Sequence, residues 1–273
     1  MAFEYSGDGA LDYFPCRYGK SKLLFRGPRR SLEAPFVAAM GGSETYGKFV
    51  ADPWPALLEE RLDFPVVNFG YLNAGIDVFG SEPQLGELTQ EAKVSVVQLL
   101  GAQNMSNRFY AVHPRRNDRF LRASNLMRAV FDDVDFTEFN FTRHMMTALK
   151  AQAPERYESL VAELRLAWVA RMKALLERFE GPVVLLWLSE YRAPQLRDPL
   201  GAEPLFVTAE MVAQITPRSK ALVKVEPSIT ARSTGTVGMF FAPMEEPAAL
   251  TMPGPLVHQE IAEALAPVLA RMI

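Results

Sequence analysis

The chain has 273 residues, 49% of them apolar and 22% charged, enough to bury a substantial core in one large domain with embellishments, expected to run over 1–273. With 29 basic against 32 acidic side chains, the net charge of −3 makes no overall case for a nucleic-acid or anionic-membrane partner. The only cysteine, Cys16, excludes an intramolecular disulfide, the N-terminus lacks the basic and apolar regions of a signal peptide, and the longest apolar run, Pro182 to Leu188, is far short of the roughly 20 residues that span a bilayer. A reducing cytoplasm is therefore expected, and a homo-oligomer is left open.

In chain order, the first 33 residues carry Tyr13-Phe14-Pro15-Cys16-Arg17-Tyr18 and Arg26-Gly27-Pro28-Arg29-Arg30, which predict an ordered arm laid over the core. Short apolar runs follow near 35–40, 65–69, 94–100, 182–188 and 220–225, each bounded by Gly, Pro or polar residues and each predicting a buried strand. Helical patterns fall at 53–62, 82–91, 155–179, 208–217 and 256–272. The fourth-residue spacing of Leu160, Leu164, Trp168, Met172 and Leu176 marks one apolar face. This alternation predicts an α/β fold: a three-layer α/β/α sandwich around a five-stranded parallel sheet of the flavodoxin-like type. Residues 105–150, rich in Arg, Asn and Phe, interrupt it after the third strand and predict a lid-like insertion. No internal repeat or low-complexity tract is present.

Three polar clusters follow apolar runs: Gly41-Gly42-Ser43-Glu44, Gly101-Ala102-Gln103-Asn104 and Pro253-Gly254-Pro255-Leu256-Val257-His258. A doubly wound sheet gathers such loops at one end, so one site can hold all three. Ester hydrolysis needs a nucleophile, a base and donors aimed at the developing oxyanion. Ser43, His258, the N–H of Glu44 and amides near residues 73 and 104 match these needs, and no metal or cofactor is required. The structural alternatives are a helix N-cap for Ser43, turn positions for Asn73 and Asn104, and a packed helix start for His258.

At these clusters the chain resembles the SGNH, or GDSL-type, hydrolase superfamily, whose fold is a five-stranded α/β/α sandwich with four short blocks. Gly41-Gly42-Ser43-Glu44-Thr45-Tyr46-Gly47 is similar to the first block, with Gly42 in place of its aspartate. The resemblance makes Ser43 the nucleophile. The second block, Asn-x-Gly-x-x-Gly, compares with Asn68-Phe69-Gly70-Tyr71-Leu72-Asn73-Ala74-Gly75, which puts Asn73 or Gly75 at the oxyanion position. The third, Gly-x-Asn-Asp, compares with Gly101-Ala102-Gln103-Asn104 and assigns the side-chain donor to Gln103 or Asn104. The last, Asp-x-x-His, keeps His258 but has Pro255 for its aspartate. The histidine would then need another partner such as Glu245 or Glu246, a backbone carbonyl, or none. Residues 1–33 and 105–150 fall outside this pattern and look closer to a bacterial family catalogued only as a domain of unknown function.

The resemblance implies a serine esterase acting on acyl (acetyl) esters of a carbohydrate or other small anionic substrate; a carbohydrate O-acyltransferase or a catalytically inactive binding module are the alternatives. A further alternative is a phosphate-loop transferase using a sulfonucleotide, because Gly42 to Lys48 fits the first seven positions of Gly-x-x-x-x-Gly-Lys-Ser/Thr before Phe49 breaks it. Arg108, His113, Arg115, Arg116 and Arg119 in the insertion suit an anionic substrate, or a surface salt-bridged to Asp132, Asp133 and Asp135. His144, in an aromatic context, reads as a core or interface histidine, and the three histidines and one cysteine form no zinc spacing.

Overall fold

The structure is a computed structural model that describes residues 11–196 and 198–273. Its centre is a five-stranded sheet of β1 (Phe36–Gly41), β2 (Val66–Gly70), β3 (Ala92–Gln98), β6 (Val183–Leu188) and β7 (Ala221–Val225), every pair parallel. The strand order is β2-β1-β3-β6-β7. Each predicted strand is found within two residues of its expected position, because a parallel sheet covered on both faces demands continuous apolar runs. In β1 all six residues are buried.

Helices flank both faces: α1 (Ser43–Tyr46), α2 (Trp54–Leu62), α3 (Ile76–Gly80), α4 (Leu85–Thr89), α5 (Asn125–Val130), α6 (Thr142–Gln152), α7 (Pro154–Leu176), α8 (Ala209–Ile215), α9 (Ile229–Ser233), α10 (Glu246–Ala249) and α11 (Pro255–Leu269). The pleat of β1 separates two cores. Phe36, Ala38 and Met40 join Phe79 of α3 and the Leu160, Leu164, Trp168 stripe of α7. Val37 and Ala39 join Trp54 and Leu58 of α2 and Ile261 and Leu265 of α11. This is the three-layer α/β/α sandwich.

Two regions depart from expectation. The helix expected at 82–91 shrinks to α4, since the Glu82 carboxylate takes the Ser21 hydroxyl and the Gln84 N–H and turns the chain there. The insertion contains an antiparallel hairpin, β4 (Tyr110–His113) with β5 (Arg116–Ala123), followed by α5 and α6. The expected arm falls partly outside the described residues, at 1–10. Its remainder crosses the sheet edge: Cys16 bridges Phe25, and Tyr18 and Phe25 pack against Phe69 of β2. Arg26 is buried and donates to the carbonyls of Tyr46 (3.1 Å), Gly47 (2.6 Å) and Ala51 (2.6 Å), so the arm fixes the exit of α1.

Candidate active-site cleft

Loops leaving β1, β2, β3 and β6 converge at the carboxyl ends of the strands, beside the reversal of strand order between β1 and β3. They wall a cleft of about 360 Å³ containing Ser43, Glu44, Asn73, Gln98, Gln103 and Asn104. The insertion adds Asp118, Phe141, Thr142 and Arg143, and the β6–α8 connection adds Tyr191, Arg192 and Glu203.

Ser43 reaches this cleft because the backbone before it is glycine. A Cβ on Gly41 would lie 2.2 Å from Thr45 Oγ1 and 2.3 Å from Gln98 Oε1, so only glycine lets β1 turn this closely into α1. Gly42 is the N-cap of α1, which leaves the Ser43 hydroxyl free of the capping role. Its Oγ accepts the Asn73 N–H at 3.0 Å. Asn73 holds a left-handed backbone, φ +56°, a conformation asparagine tolerates better than most residues.

The third cluster faces the same space. Asn104 Oδ1 accepts the Thr142 hydroxyl at 2.7 Å, which orients the amide and leaves its NH2 without a protein acceptor among the described residues. The Gln103 carbonyl takes the Tyr110 hydroxyl at 2.6 Å, while its buried Oε1 has no partner among the described residues. Gly75, the alternative oxyanion donor, has its N–H bonded to Asn117 Oδ1 at 2.9 Å. Its glycine serves close packing instead: a Cβ there would fall 1.7 Å from the Asn104 carbonyl oxygen.

Glu44 supports the serine loop through its carboxylate. Tyr191 donates to Oε1 at 2.9 Å and Gln98 Nε2 to Oε2 at 3.1 Å. Gln98 Oε1 in turn accepts the Gly42 N–H (3.1 Å) and the Thr45 hydroxyl (2.6 Å). Burial, reinforced by the Glu44 carboxylate, pushes the Tyr191 phenol well above its ordinary pKa, so it stays a donor.

His258 is not brought to the serine. It lies fully buried on α11, its Nδ1 accepting the Trp54 N–H at 3.1 Å, and its Nε2 has no partner among the described residues. An imidazole whose Nδ1 accepts carries its proton on Nε2 and offers no lone pair there. Burial, with the nearby Arg26 cation second, lowers its pKa to about 3. The expected dyad is not seen: among the described residues His258 makes no hydrogen bond to Ser43 and does not line the cleft. Among the described residues neither Glu245 nor Glu246 bonds to it; Glu245 faces Lys48 at 3.7 Å and the Ala242 N–H at 3.4 Å.

The same region removes support from the phosphate-loop alternative. Gly47 closes α1 in a left-handed conformation, and Lys48 lies beyond the helix against Glu245 and the Phe49 ring. Among the described residues, no group of three or more His, Cys, Asp or Glu is arranged to hold a metal ion.

The arginines expected over the site lie elsewhere. Arg108 is exposed and paired with Glu163; Arg115 and Arg116 are exposed at the hairpin turn, where their N–H groups donate to His113 Nδ1 at 3.2 Å each; Arg119 covers Phe141 at 5.2 Å. None of these five side chains lines the cleft. Asp132 and Asp133 pair with Arg156, and Asp135 caps Thr137, so the alternative surface pairing also differs in detail. His144 is exposed against the Phe139 edge rather than buried. Arg143 and Arg192 supply the cationic groups of the cleft, and Gln98, Tyr191 and Asp118 complete its polar wall. For Gln98, Tyr191 and Arg192 a signal existed: they stand at or just past the carboxyl ends of strands three and four.

Fold and cleft together define an α/β/α protein with a polar pocket built around a serine at the sheet's carboxyl edge. The chain belongs over residues 1–273 to the family described as Domain of unknown function (DUF6473). A gut microbial diltiazem-metabolizing enzyme of solved structure is similar over 87% of this chain and 47% of its own, with 11% identity and a TM-score of 0.42; the chain spans less than half that protein's length. No curated protein matches the sequence. No helix among the described residues is long and apolar enough to cross a membrane.

Proposed function

We propose that the cleft carries out acyl-ester chemistry of the SGNH type on a small-molecule ester, with Ser43 as the nucleophile. The observation that carries this reading is the Asn73 N–H aimed at Ser43 Oγ, with the Asn104 amide in the same cleft. In the reaction, Ser43 Oγ bonds to the carbonyl carbon and the carbonyl π pair moves to oxygen. The N–H groups of Asn73 and Glu44 and the Asn104 NH2 receive that charge. Collapse breaks the bond to the leaving alcohol, and water or a second hydroxyl then removes the acyl group, giving an esterase or an O-acyltransferase.

The serine proton needs an acceptor other than His258. Asp118 fills that role in this reading: it lines the same cleft, and burial raises its carboxyl pKa above the ordinary value. The proton passes to Asp118 as Ser43 attacks and from Asp118 to the leaving alcohol oxygen; in the second half Asp118 takes the proton of the incoming water or hydroxyl and returns it to Ser43 Oγ as the acyl bond to serine breaks.

A fluorophosphonate probe with peptide mapping tests the proposal. An adduct is expected at Ser43 in the unmodified protein, absent in Ser43→Ala, retained in His258→Asn and formed at least tenfold more slowly in Asp118→Asn. The placement of His258 favours a second reading, a recognition module without catalysis. Folded protein that forms no adduct would decide for it.

A further inference from the structure

The cations that the cleft does not use gather at the β2 edge of the sheet. Between Tyr13 and Leu32 the chain carries six basic side chains and no acidic one, in a protein whose net charge is −3. Of the six, Arg26 is buried on backbone carbonyls and Arg30 pairs with Glu59 of α2. Arg17, Lys20, Lys22 and Arg29 are exposed and have no carboxylate partner among the described residues. Arg115 and Arg116, at the turn between β4 and β5, are exposed and unpaired in the same sense.

The arm and the hairpin turn meet at the loop leaving β2. The Cys16–Phe25 bridge folds the arm back on itself, which places Arg17 and Leu24 beside it, both exposed. The Phe25 ring lies 6.5 Å from Tyr71 in that loop, and Asn117 of the hairpin takes the Gly75 N–H of the same loop at 2.9 Å. Burial pushes the Tyr71 phenol above its ordinary pKa, and the cations of Arg115, Arg116 and Arg17 draw it back, so charges from both segments act on one ring.

The makeup of this edge selects among anionic partners. A small anion is held by converging forks, whereas these cations stand on separate exposed turns. Among them are apolar side chains in contact with water, Phe14 at 61% exposure and Leu24 at 44%. Cations mixed with apolar side chains on exposed loops match a bilayer, whose surface is anionic and whose acyl boundary is apolar. A nucleic acid offers Leu24 no apolar layer. Each basic side chain held near an anionic bilayer strengthens attachment about fivefold, and the effect fades beyond a Debye length of about 10 Å.

We propose that this edge docks the protein on an anionic phospholipid surface, its unpaired cations against the phosphate headgroups and Leu24 and Phe14 at the acyl boundary. The arginines of the hairpin turn, which lie away from the cleft, thereby acquire a role that does not depend on whether Ser43 reacts.

The test is vesicle sedimentation with the full chain at about 0.1 M salt. The probes are vesicles of phosphatidylcholine alone and of phosphatidylcholine with roughly one-third phosphatidylserine. Binding is expected on the anionic vesicles and not on the neutral ones, and it should fall at least tenfold when salt is raised to about 0.5 M. The variant Arg17→Gln/Lys22→Gln/Arg115→Gln should bind at least tenfold more weakly. Arg165→Gln/Lys220→Gln/Arg271→Gln removes the same charge from exposed positions elsewhere and should change binding less than threefold. Leu24→Ser should weaken binding at least threefold with no change of charge. Every substituted side chain is exposed, so an unchanged Tm checks that each variant is folded. Absence of binding to the anionic vesicles overturns the proposal, as do equal losses in the two triple variants or binding indifferent to Leu24→Ser. Tighter binding of a DNA oligonucleotide or of polyglutamate than of the vesicles overturns it as well.

Discussion

His258 Nδ1 accepts the backbone N–H of Trp54 at 3.1 Å, a contact that spans 204 positions of sequence and ties α11 to the first turn of α2. The N–H of a helix's first turn has no intrahelical acceptor, and here a buried imidazole satisfies it. The histidine that sequence order offers to the serine is used as a joint between two helices.

That use has a pH signature. In the folded protein the His258 pKa lies near 3, against 6.5 when solvated. The unfolded chain therefore binds the extra proton below about pH 6.5, and the stability associated with a neutral His258 is present above that value and lost as pH falls toward 3. At about pH 5 the loss is about 2 kcal/mol, using about 1.4 kcal/mol per pKa unit. His258→Asn, which keeps an acceptor near the Trp54 N–H, should flatten the dependence. Urea denaturation at about pH 7.5 and pH 5 measures it; equal slopes in both proteins would remove His258 as the cause.

Asn73 is under two demands, a left-handed backbone and an N–H for Ser43. Glycine meets both, so Asn73→Gly should keep Tm within a few degrees and retain fluorophosphonate labelling. Valine meets only the second, and only with strain, because a β-branched residue at positive φ is a steric outlier. Asn73→Val is expected to lose about 1–3 kcal/mol and to slow labelling as the N–H leaves Ser43 Oγ. A Tm unchanged in Asn73→Val would show that the loop relaxes at no cost.

The sheet was legible because burial on both faces forces unbroken apolar runs: Phe36 to Met40 and Val183 to Leu188 signal themselves by composition alone. The hairpin was not, although Tyr110 and Val112 alternate with half-buried Ala111 and His113; a strand of four residues leaves too short a period to separate from a loop. Among site residues, Ser43, Asn73, Gln103 and Asn104 meet in the cleft because the loops that hold them follow strands directly. The role of His258 was hidden, since its partner is a backbone N–H and no residue type announces it. Arg143 and Arg192 were hidden for a related reason: the carboxylates that pair them, Asp198 and Glu203, belong to a loop whose path no local pattern encodes.

Asn117 couples the insertion to the loop that carries Asn73 and to the start of α3. Fully buried on β5, it accepts the N–H groups of Gly75 (2.9 Å) and Val78 (3.1 Å) at the start of α3 and donates to the His113 carbonyl at 2.9 Å. Truncation to alanine strands two donors and an acceptor, each costing roughly 1–3 kcal/mol when buried. Asn117→Ala should therefore be among the more damaging single changes to stability, and Asn117→Asp, which keeps the acceptor, less so. Denaturant midpoints order the two; a milder effect for alanine would mean that the hairpin and α3 are held by packing instead.

Gly75 gives the sharpest packing test, because its Cα faces the Asn104 backbone with no space for a side chain. An added Cβ would stand 1.7 Å from the Asn104 carbonyl oxygen and 2.9 Å from its Cβ. The obstacle is backbone, which cannot swing aside as a side chain tip can. Gly75→Ala must push the loop after β3 away from α3, and overpacking of this kind costs about 1–3 kcal/mol. The displaced segment carries Asn104, whose amide is fixed by the Thr142 hydroxyl. Labelling of Ser43 should consequently fall together with Tm in Gly75→Ala. A variant with lowered Tm and undiminished labelling would show that Asn104 has no part in stabilising the oxyanion, leaving the N–H groups of Asn73 and Glu44 as the donors.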